Sequence, residues 1–317
     1  MQASAAHVQA QLARLVAGPD SPFFTPPPAG LMRGIDFYRM PGLVRAMIGA
    51  VHFFHRTQHH FPDLIDPQGF NARIVRRKFF EPLKVPESGN KLRTKDFLPA
   101  GLEGVRCAHM LWHARQAILP PNDAIAPGVY FLKANHGSSM NVEVRYPLDA
   151  ATRAALERRA ADWLRHPFGI QWGEWWYNAF PRQILLEEHL GADRLSFNFF
   201  CFRGRVALID FFDKKTSELI SLRPDLSLVG HEFPRRSVAD ICTRDDIARM
   251  AAIASAISQS QDFVRVDLFL KDDGEIILGE ISFSPGNAIS QRPDPLDDEL
   301  GRAWAEAISA RPSPANT

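Results

Sequence analysis

Four short segments carry residue types that could do chemistry together. Lys133-Ala134-Asn135-His136-Gly137-Ser138-Ser139-Met140-Asn141 puts a lysine at the end of an apolar run and follows it with small residues. Successive N–H groups in such a turn can converge on an anion. GxxxxGK[ST] is absent, so this is not a Walker loop, and the text also fits an ordinary Gly-Ser hairpin turn. Ile184-Leu185-Leu186-Glu187-Glu188-His189-Leu190 is an apolar run closing on paired carboxylates. Exposed backbone beside an apolar wall suits a purine ring, while in isolation a strand end with solvated glutamates is the simpler reading. In Phe263-Val264-Arg265-Val266-Asp267-Leu268-Phe269, strand alternation puts Arg265, Asp267 and Phe269 on one face. Facing a cleft, that charged pair is costly unless it binds something; on an open surface it is a weak ion pair.

The fourth segment is Leu278-Gly279-Glu280-Ile281-Ser282-Phe283-Ser284-Pro285-Gly286-Asn287. If it pairs with the third as a hairpin, Asp267 and Glu280 become near neighbours. Two such carboxylates raise each other's pKa. Magnesium relieves that, since it takes carboxylate and phosphate oxygens in an octahedral shell. The Ser-Pro-Gly after it could offer N–H groups to a developing negative charge.

The elements that must position these residues follow from pattern. Strand-like runs are Val129–Lys133, Val142–Arg145, Ile184–Glu188, Phe197–Phe202, Val206–Phe212, Phe263–Leu270 and Glu275–Ile281. Arg203-Gly204 and Lys271-Asp272-Asp273-Gly274 are hairpin turn signals between neighbouring runs. Helices are predicted at Ala150–Leu164 after Asp149, and at Arg244–Gln259 with Asp245 and Asp246 in the first turn. Residues 31–62 show helical periodicity. The N-terminus reads as a short amphipathic helix with Val8, Leu12, Leu15 and Val16 on one side. Hairpins mixed with helices predict an α+β fold rather than regular βαβ alternation.

The chain has 317 residues, 45% hydrophobic and 23% charged, which excludes whole-chain disorder. A net charge of +1 argues against a dedicated nucleic-acid binder. It conceals a basic stretch at 73–95 and an acidic one at 262–301, read either as two solvated faces or as cations and metal carboxylates around a polyanion. No apolar run approaches the roughly 20 residues of a membrane span, and no secretory leader is expected. Cys107, Cys201 and Cys242 are widely spaced, which suits a reducing compartment, so a cytoplasmic location is expected. The cluster His52, His55, His59 and His60 lacks supporting Cys or carboxylates for zinc. His109 and His113 are four apart, but Met110 stands where HExxH needs Glu. Trp172, Trp175 and Trp176 could stack on a sugar, with a core role favoured for at least two.

The order of these segments resembles the ATP-grasp superfamily. KANHGS, CF-x-G, FVRVDL and GE-x-S-x-SPG are similar to the text of TupA-like ATP-grasp proteins, which accompany surface-polysaccharide biosynthesis. Spacings also resemble D-alanine–D-alanine ligase, with Asn90-Lys91-Leu92-Arg93-Thr94-Lys95 similar to its first nucleotide-binding lysine segment. The resemblance covers about residues 90–301. It implies an ATP-grasp fold: two α+β subdomains clasping ATP after an N-terminal region. The expected divisions are an N-terminal helical and basic region at 1–90, an N-terminal subdomain segment at 91–128, a middle subdomain with the glycine loop at 129–190, a C-terminal subdomain with the metal site at 191–310, and a tail at 311–317.

The resemblance also implies residue roles. Lys91 and Lys133 contact nucleotide phosphates under a lid of Gly137, Ser138 and Ser139. Glu187 meets the adenine amino group, Glu188 and Leu190 give backbone contacts, and Asp193 is nearest the ribose. Lys214 or Lys215 reaches the phosphates. Asp267, Glu280 and, where many relatives have Asn, Ser282 hold Mg2+; Arg265 stabilises the transferring phosphoryl group. Gly286 N–H lies near the reaction centre. His136 would bind charge or relay a proton near the γ-phosphate, or cap the turn. Where TupA-like text has Asp-Tyr-Lys, this chain has Ser196-Phe197-Asn198, so a basic contact is lost. The implied activity is ligation of a small-molecule carboxylate to an amine with ATP and magnesium. The alternatives are a kinase acting on a hydroxyl of a sugar-like acceptor, and a nucleotide-binding assembly factor without turnover.

Overall fold

The computed structural model describes residues 1–85, 87–191, 194–230, 234–292 and 295–310. Helices α1 (Gln2–Ala17), α2 (Gly34–Phe37), α3 (Met40–Gln58) and α4 (Phe70–Phe80) form an N-terminal lobe, with β1 (Leu31–Met32) paired to β2 (Leu83–Lys84). The chain continues through β3 (Val105–Cys107), β4 (Met110–Ala114), β5 (Gly128–Ala134), β6 (Asn141–Tyr146), α5 (Ala150–Arg165) and β7 (Ile184–Glu188). Then come β8 (Leu195–Phe202), β9 (Arg205–Asp213), β10 (Glu218–Leu222), α6 (Arg244–Ser258), β11 (Val264–Leu270), β12 (Ile276–Ser282) and α7 (Leu296–Ser309).

The other ten strands make two sheets that face one cleft. One is six-stranded, in the order β10-β9-β8-β11-β12-β3; the other is four-stranded, β4-β7-β5-β6. Local chemistry sets the hairpins. Arg203 and Gly204 both have positive φ (45° and 79°), the backbone a two-residue hairpin turn requires. The Asp149 carboxylate caps α5 by accepting from Thr152 N–H at 2.9 Å, and Thr243 caps α6 by accepting from Asp246 N–H at 3.1 Å.

Three cores result. Alternate residues of the large sheet (Phe197, Phe199, Phe211, Val264, Val266) pack on Ile247, Met250 and Ile257 of α6. On the opposite face, Phe200, Phe202, Leu208 and Phe263 are covered by Phe70 of α4 and Trp304 of α7. Leu132, Val144 and Leu186 of the small sheet rest on Leu156 and Ala160 of α5. The N-terminal lobe therefore covers one end of the large sheet's second face, and the other end is left for the cleft.

Several expectations are corrected here. Within segment 91–128, β3 joins the large sheet and β4 the small one, two residues apart. In α1 the buried side is Ser4, Val8, Gln11 and Leu15, and Val16 is 43% exposed. The basic stretch is not a solvated face throughout, because Arg77 and Lys78 are buried. Arg77 joins the N-terminal lobe to the large sheet: Nη2 donates to Asp262 at 2.5 Å, Nη1 to the Phe263 carbonyl at 2.9 Å and Nε to Glu81 at 2.9 Å. The core role favoured for at least two tryptophans holds: Trp175 and Trp176 are core residues, and Trp172 is half-buried. His113 lies on a strand with His109 just before it, so their spacing of four does not bring them onto a helix face. Among the described residues no group of three His, Cys, Asp or Glu could hold a metal, the α3 histidines included.

Candidate active site

A cavity of about 360 Å³ lies between the two sheets, a volume suited to a small-molecule ligand. The register of β11 and β12 puts Asp267 directly opposite Glu280 on its floor. The next pair is Leu268 with Leu278, so Gly279 is an extra residue in β12. This bulge lets Leu278, Gly279 and Glu280 all line the cavity. A Cβ at Gly279 would meet the Phe269 ring at 2.5 Å, so any side chain there displaces that ring.

Asp267 is 8% exposed, and its carboxyl is pushed up to about 6. Burial is the main cause, opposed by Arg265 and reinforced by Glu280 and Asp210. Arg265 donates to both Asp267 oxygens, at 2.7 and 2.6 Å. Asp267 and Glu280 are a hard, anionic donor pair that fits magnesium sharing its remaining positions between phosphate oxygens and water. Ser282, one alternation beyond Glu280 and opposite Arg265, does not line the cavity.

Two lysines line the same cavity. Lys133 of β5 lines the cavity and is hydrogen-bonded to the Glu187 carboxylate on neighbouring β7. Lys91 opens a short 3-10 turn capped by Asn90, whose Oδ1 accepts from Leu92 N–H at 3.1 Å. Its own N–H donates to the Asn135 carbonyl at 3.0 Å and its ammonium to the Gly137 carbonyl, which ties the turn to the glycine loop. Burial pulls the Lys91 pKa down, with the Glu280 charge opposing. Ser138, Ser139 and Leu190 also line the cavity. Gly137 has φ +85°, and a Cβ there would sit 2.6 Å from Phe168.

Other expected residues lie elsewhere. His136 is fully buried and turned away from the cleft. Its Nε2 lies 3.1 Å from the Trp163 carbonyl and its Nδ1 3.3 Å from Asn135 Oδ1. Burial pushes its pKa down to about 4, so it is neutral at pH 7 and a structural residue rather than a proton relay. Glu188 does not line the cavity. Its N–H donates to the His109 carbonyl at 2.9 Å, and its carboxylate accepts from His109 N–H at 2.8 Å and from Arg106. Arg106 also donates to Glu275 at 2.6 and 3.0 Å, so it clamps the small sheet to the large one beside both chain crossings. Lys214 and Lys215 are exposed in the β9–β10 turn and do not line the cavity; Lys214 donates to the Arg194 carbonyl at 3.2 Å. Gly286 (φ +60°) sits in the turn Pro285–Ala288, outside the cavity lining. Asp193 lies outside the described residues.

Two participants carried no distinguishing sequence signal. Arg194 lines the cavity, with its guanidinium 5.0 Å from the Phe269 ring centroid and 5.8 Å from that of Phe131. Asn198 pairs in register with both Asp267 and Asp210. Only the pairing of β8 with β11, which are distant in the chain, could have revealed it.

Residues 177–305 match the family model described as TupA-like ATPgrasp. This bears out the resemblance read from the motifs, and the α+β arrangement of two sheets about one cleft is an ATP-grasp fold. Similar solved structures include the VanG D-Ala:D-Ser ligase of Enterococcus faecalis, 14% identical, with 76% of this chain and 64% of that one covered and a TM-score of 0.43. D-alanyl-alanine synthetase A of Vibrio cholerae O1 biovar eltor str. N16961 is 15% identical over 71% of this chain and 66% of that one, with a TM-score of 0.42. An L-amino acid ligase of Bacillus licheniformis is 14% identical over 64% and 42%, with a TM-score of 0.38. The chain thus spans less than two thirds of the length of these structures. No curated protein matches it.

Proposed function

We propose that the cleft binds ATP with magnesium and that the chain is an ADP-forming ligase joining a carboxylate to an amine. The observation that carries this reading is one cavity lined by the Asp267–Glu280 pair together with Lys91 and Lys133. A metal–triphosphate complex needs both kinds of partner at once. The TupA-like ATPgrasp match supports the nucleotide.

Magnesium, when bound at Asp267 and Glu280, offsets phosphate charge during transfer. Lys133 exchanges Glu187 for phosphate oxygens, which frees the Glu187 carboxylate to accept from the adenine amino group. Ser138 and Ser139 cover the phosphates, and Leu190 offers backbone to the base. Arg265, held by Asp267, stabilises the transferring phosphoryl group. The substrate carboxylate attacks the γ-phosphorus and ADP leaves; the amine then attacks the acyl carbon and phosphate leaves. Position and charge supply the catalysis. No helix of the described residues is long and apolar enough to cross a membrane. The cytoplasm, which supplies ATP and keeps Cys107, Cys201 and Cys242 reduced, is the location this reading implies.

The test is incubation with ATP, magnesium and pooled carboxylates and amines. ADP, phosphate and an amide of matching mass are expected. AMP release, or ADP with a phosphorylated hydroxyl and no amide, would overturn the ligase reading.

A further inference from the structure

A second cavity, of about 480 Å³, lies on the N-terminal lobe and shares no lining residue with the cleft. One wall is a face of α3, where Val44, Ile48 and Phe53 are apolar and Arg45 and His52 stand among them. The other wall is the turn Ile170–Trp172, with the Trp172 ring edge-on to that of Phe53, 5.5 Å between centroids and 83° between planes. Helix and turn are in contact. A Cβ at Gly49 of α3 would lie 2.3 Å from the Gln171 carbonyl, so a side chain there would push the two walls apart. The turn is held at both ends: Tyr38 Oη donates to the Ile170 carbonyl at 2.6 Å, and the buried Lys78 ammonium donates to the Trp172 carbonyl at 3.3 Å. The cavity is therefore a preformed trough. Val44 to Phe53 gives it a length of roughly 14 Å at about 1.5 Å per residue.

Apolar lining alone does not name an occupant; the charges do. α3 runs for 19 residues without an aspartate or glutamate. Arg45, His52 and Arg56 fall at i, i+7 and i+11, which sets them in a row along one helix face. Arg45 and Arg56 are exposed and have no hydrogen-bond or ion-pair partner among the described residues. His52 is half-buried, and burial first, then positive neighbours such as Arg56, hold its pKa below the usual value. No acidic side chain lines the trough. A row of unpaired cations beside an apolar wall complements an anion that carries an apolar body. Guanidinium groups take carboxylate or phosphate oxygens bidentately, and the wall removes the apolar body from water. Walls on two sides suit one inserted chain better than a flat membrane surface or a whole helix.

We propose that this trough binds a medium-chain anionic amphiphile, an alkyl carboxylate or alkyl phosphate, with its head among Arg45, His52 and Arg56 and its chain against Ile48, Phe53 and Trp172. None of these residues belongs to the nucleotide machinery proposed above, so the site stands or falls apart from the ligase reading.

The test titrates the full chain with decanoate and with decyl phosphate, below their micellar concentrations, and follows binding by calorimetry and tryptophan fluorescence. Decanol, decyltrimethylammonium and acetate control for charge, sign and chain. At least one of the two anions should bind about tenfold more tightly than decanol, the worth of a charge-assisted contact. Its eight-carbon homologue should bind about tenfold more weakly, the worth of two buried methylenes. Decyltrimethylammonium and acetate should not bind measurably. Arg45→Glu, at an exposed position, should weaken the bound anion by about tenfold and leave the affinity for magnesium–ATP within twofold. Trp172→Phe should abolish the fluorescence response to the anion. Decanol or the cation matching both anions, an unchanged affinity in Arg45→Glu, or a fluorescence response that survives Trp172→Phe would each overturn the site. So would an acidic amphipathic peptide or anionic vesicles that bind where the free amphiphiles do not.

Discussion

Replacing Asp267 by Asn keeps shape and removes one charge, and the structure sets the size of the effect. The Asp267 carboxyl rises from its ordinary 3.8 to about 6 because folding buries it beside Glu280 and Asp210, in spite of Arg265. Holding it ionised at neutral pH therefore costs the fold about 3 kcal/mol. The sign follows from proton uptake. Between pH 4 and 6 the folded chain holds a proton that the unfolded chain has released, so this penalty is full above pH 6 and gone below pH 4. Asp267→Asn, which resembles the neutral form, should be no less stable than wild type at pH 8, and more stable by up to about 3 kcal/mol. The difference should vanish near pH 4. With magnesium–ATP the order reverses. Wild type should gain several degrees in melting temperature and the variant little, while ADP release by the variant falls by orders of magnitude. Urea denaturation at pH 8 and pH 4, thermal melts with magnesium–ATP, and an ADP assay on both proteins decide it. A fully active variant, or one clearly destabilised at pH 8, would refute the metal role of this carboxylate.

The other predictions are smaller in scope. Lys133→Ala should stay folded and lose at least tenfold in magnesium–ATP affinity by calorimetry, because a charge-assisted phosphate contact disappears; unchanged affinity would reduce Lys133 to a partner for Glu187. His136 is buried neutral, so as pH falls from 6.5 towards 4 the unfolded chain takes up a proton the folded chain cannot, and stability declines by about 3 kcal/mol. His136→Asn should remove that decline from the denaturation profile without changing nucleotide affinity. Arg106→Ala should cost no more than about 1 kcal/mol, since its pairs are part-exposed. It should also speed hydrogen exchange at residues 107–110 and 186–190, and protection unchanged there would show that Arg106 does not clamp the sheets. Gly279→Ala should destabilise by about 1–3 kcal/mol through its contact with Phe269 and weaken magnesium–ATP binding by displacing Glu280.

What the sequence made legible was local. Alternation marked the strands, and Arg203-Gly204 and Lys271–Gly274 marked turns short enough to fix register, so Asp267 and Glu280 could be expected as near neighbours without coordinates, although the register from Leu270 and Ile276 alone would set Asp267 opposite Gly279. Even there the Gly279 bulge was hidden, because an extra residue leaves composition unchanged. His136 was misplaced because its ring is received in the interior by the Trp163 carbonyl and Asn135, contacts that the sequence does not show. Lys214 and Lys215 lie side by side in the β9–β10 turn, and nothing in the sequence says that this turn keeps them out of the cavity lining. Arg194 and Asn198 acquire meaning only from pairings between strands far apart in the chain.

The N-terminal lobe shows the same limit from another side, and it changes what counts as the site. Lys78 looks like one more cation in a basic stretch, yet it is fully buried. Its ammonium donates to the Trp172 carbonyl at 3.3 Å, to the Asn287 carbonyl at 3.2 Å and to the Asn287 side chain. Asn287 lies in a run of three residues, Gly286 to Ala288, all at positive φ (60°, 53° and 63°). An alanine and an asparagine do not hold that backbone unaided, because a Cβ disfavours it by roughly 1–2 kcal/mol per residue. The turn that carries Gly286, inside the stretch matching the TupA-like ATPgrasp model, is thus held in part by a lysine about a hundred residues outside it. Burial lowers the Lys78 pKa to about 8, with the Glu174 charge opposing, so the ammonium stays charged at neutral pH while the turn's oxygens accept from it. Lobe and turn stabilise each other. The N-terminal lobe is for that reason part of the structure that sets the geometry beyond the metal pair, and not only a cover for one end of the large sheet.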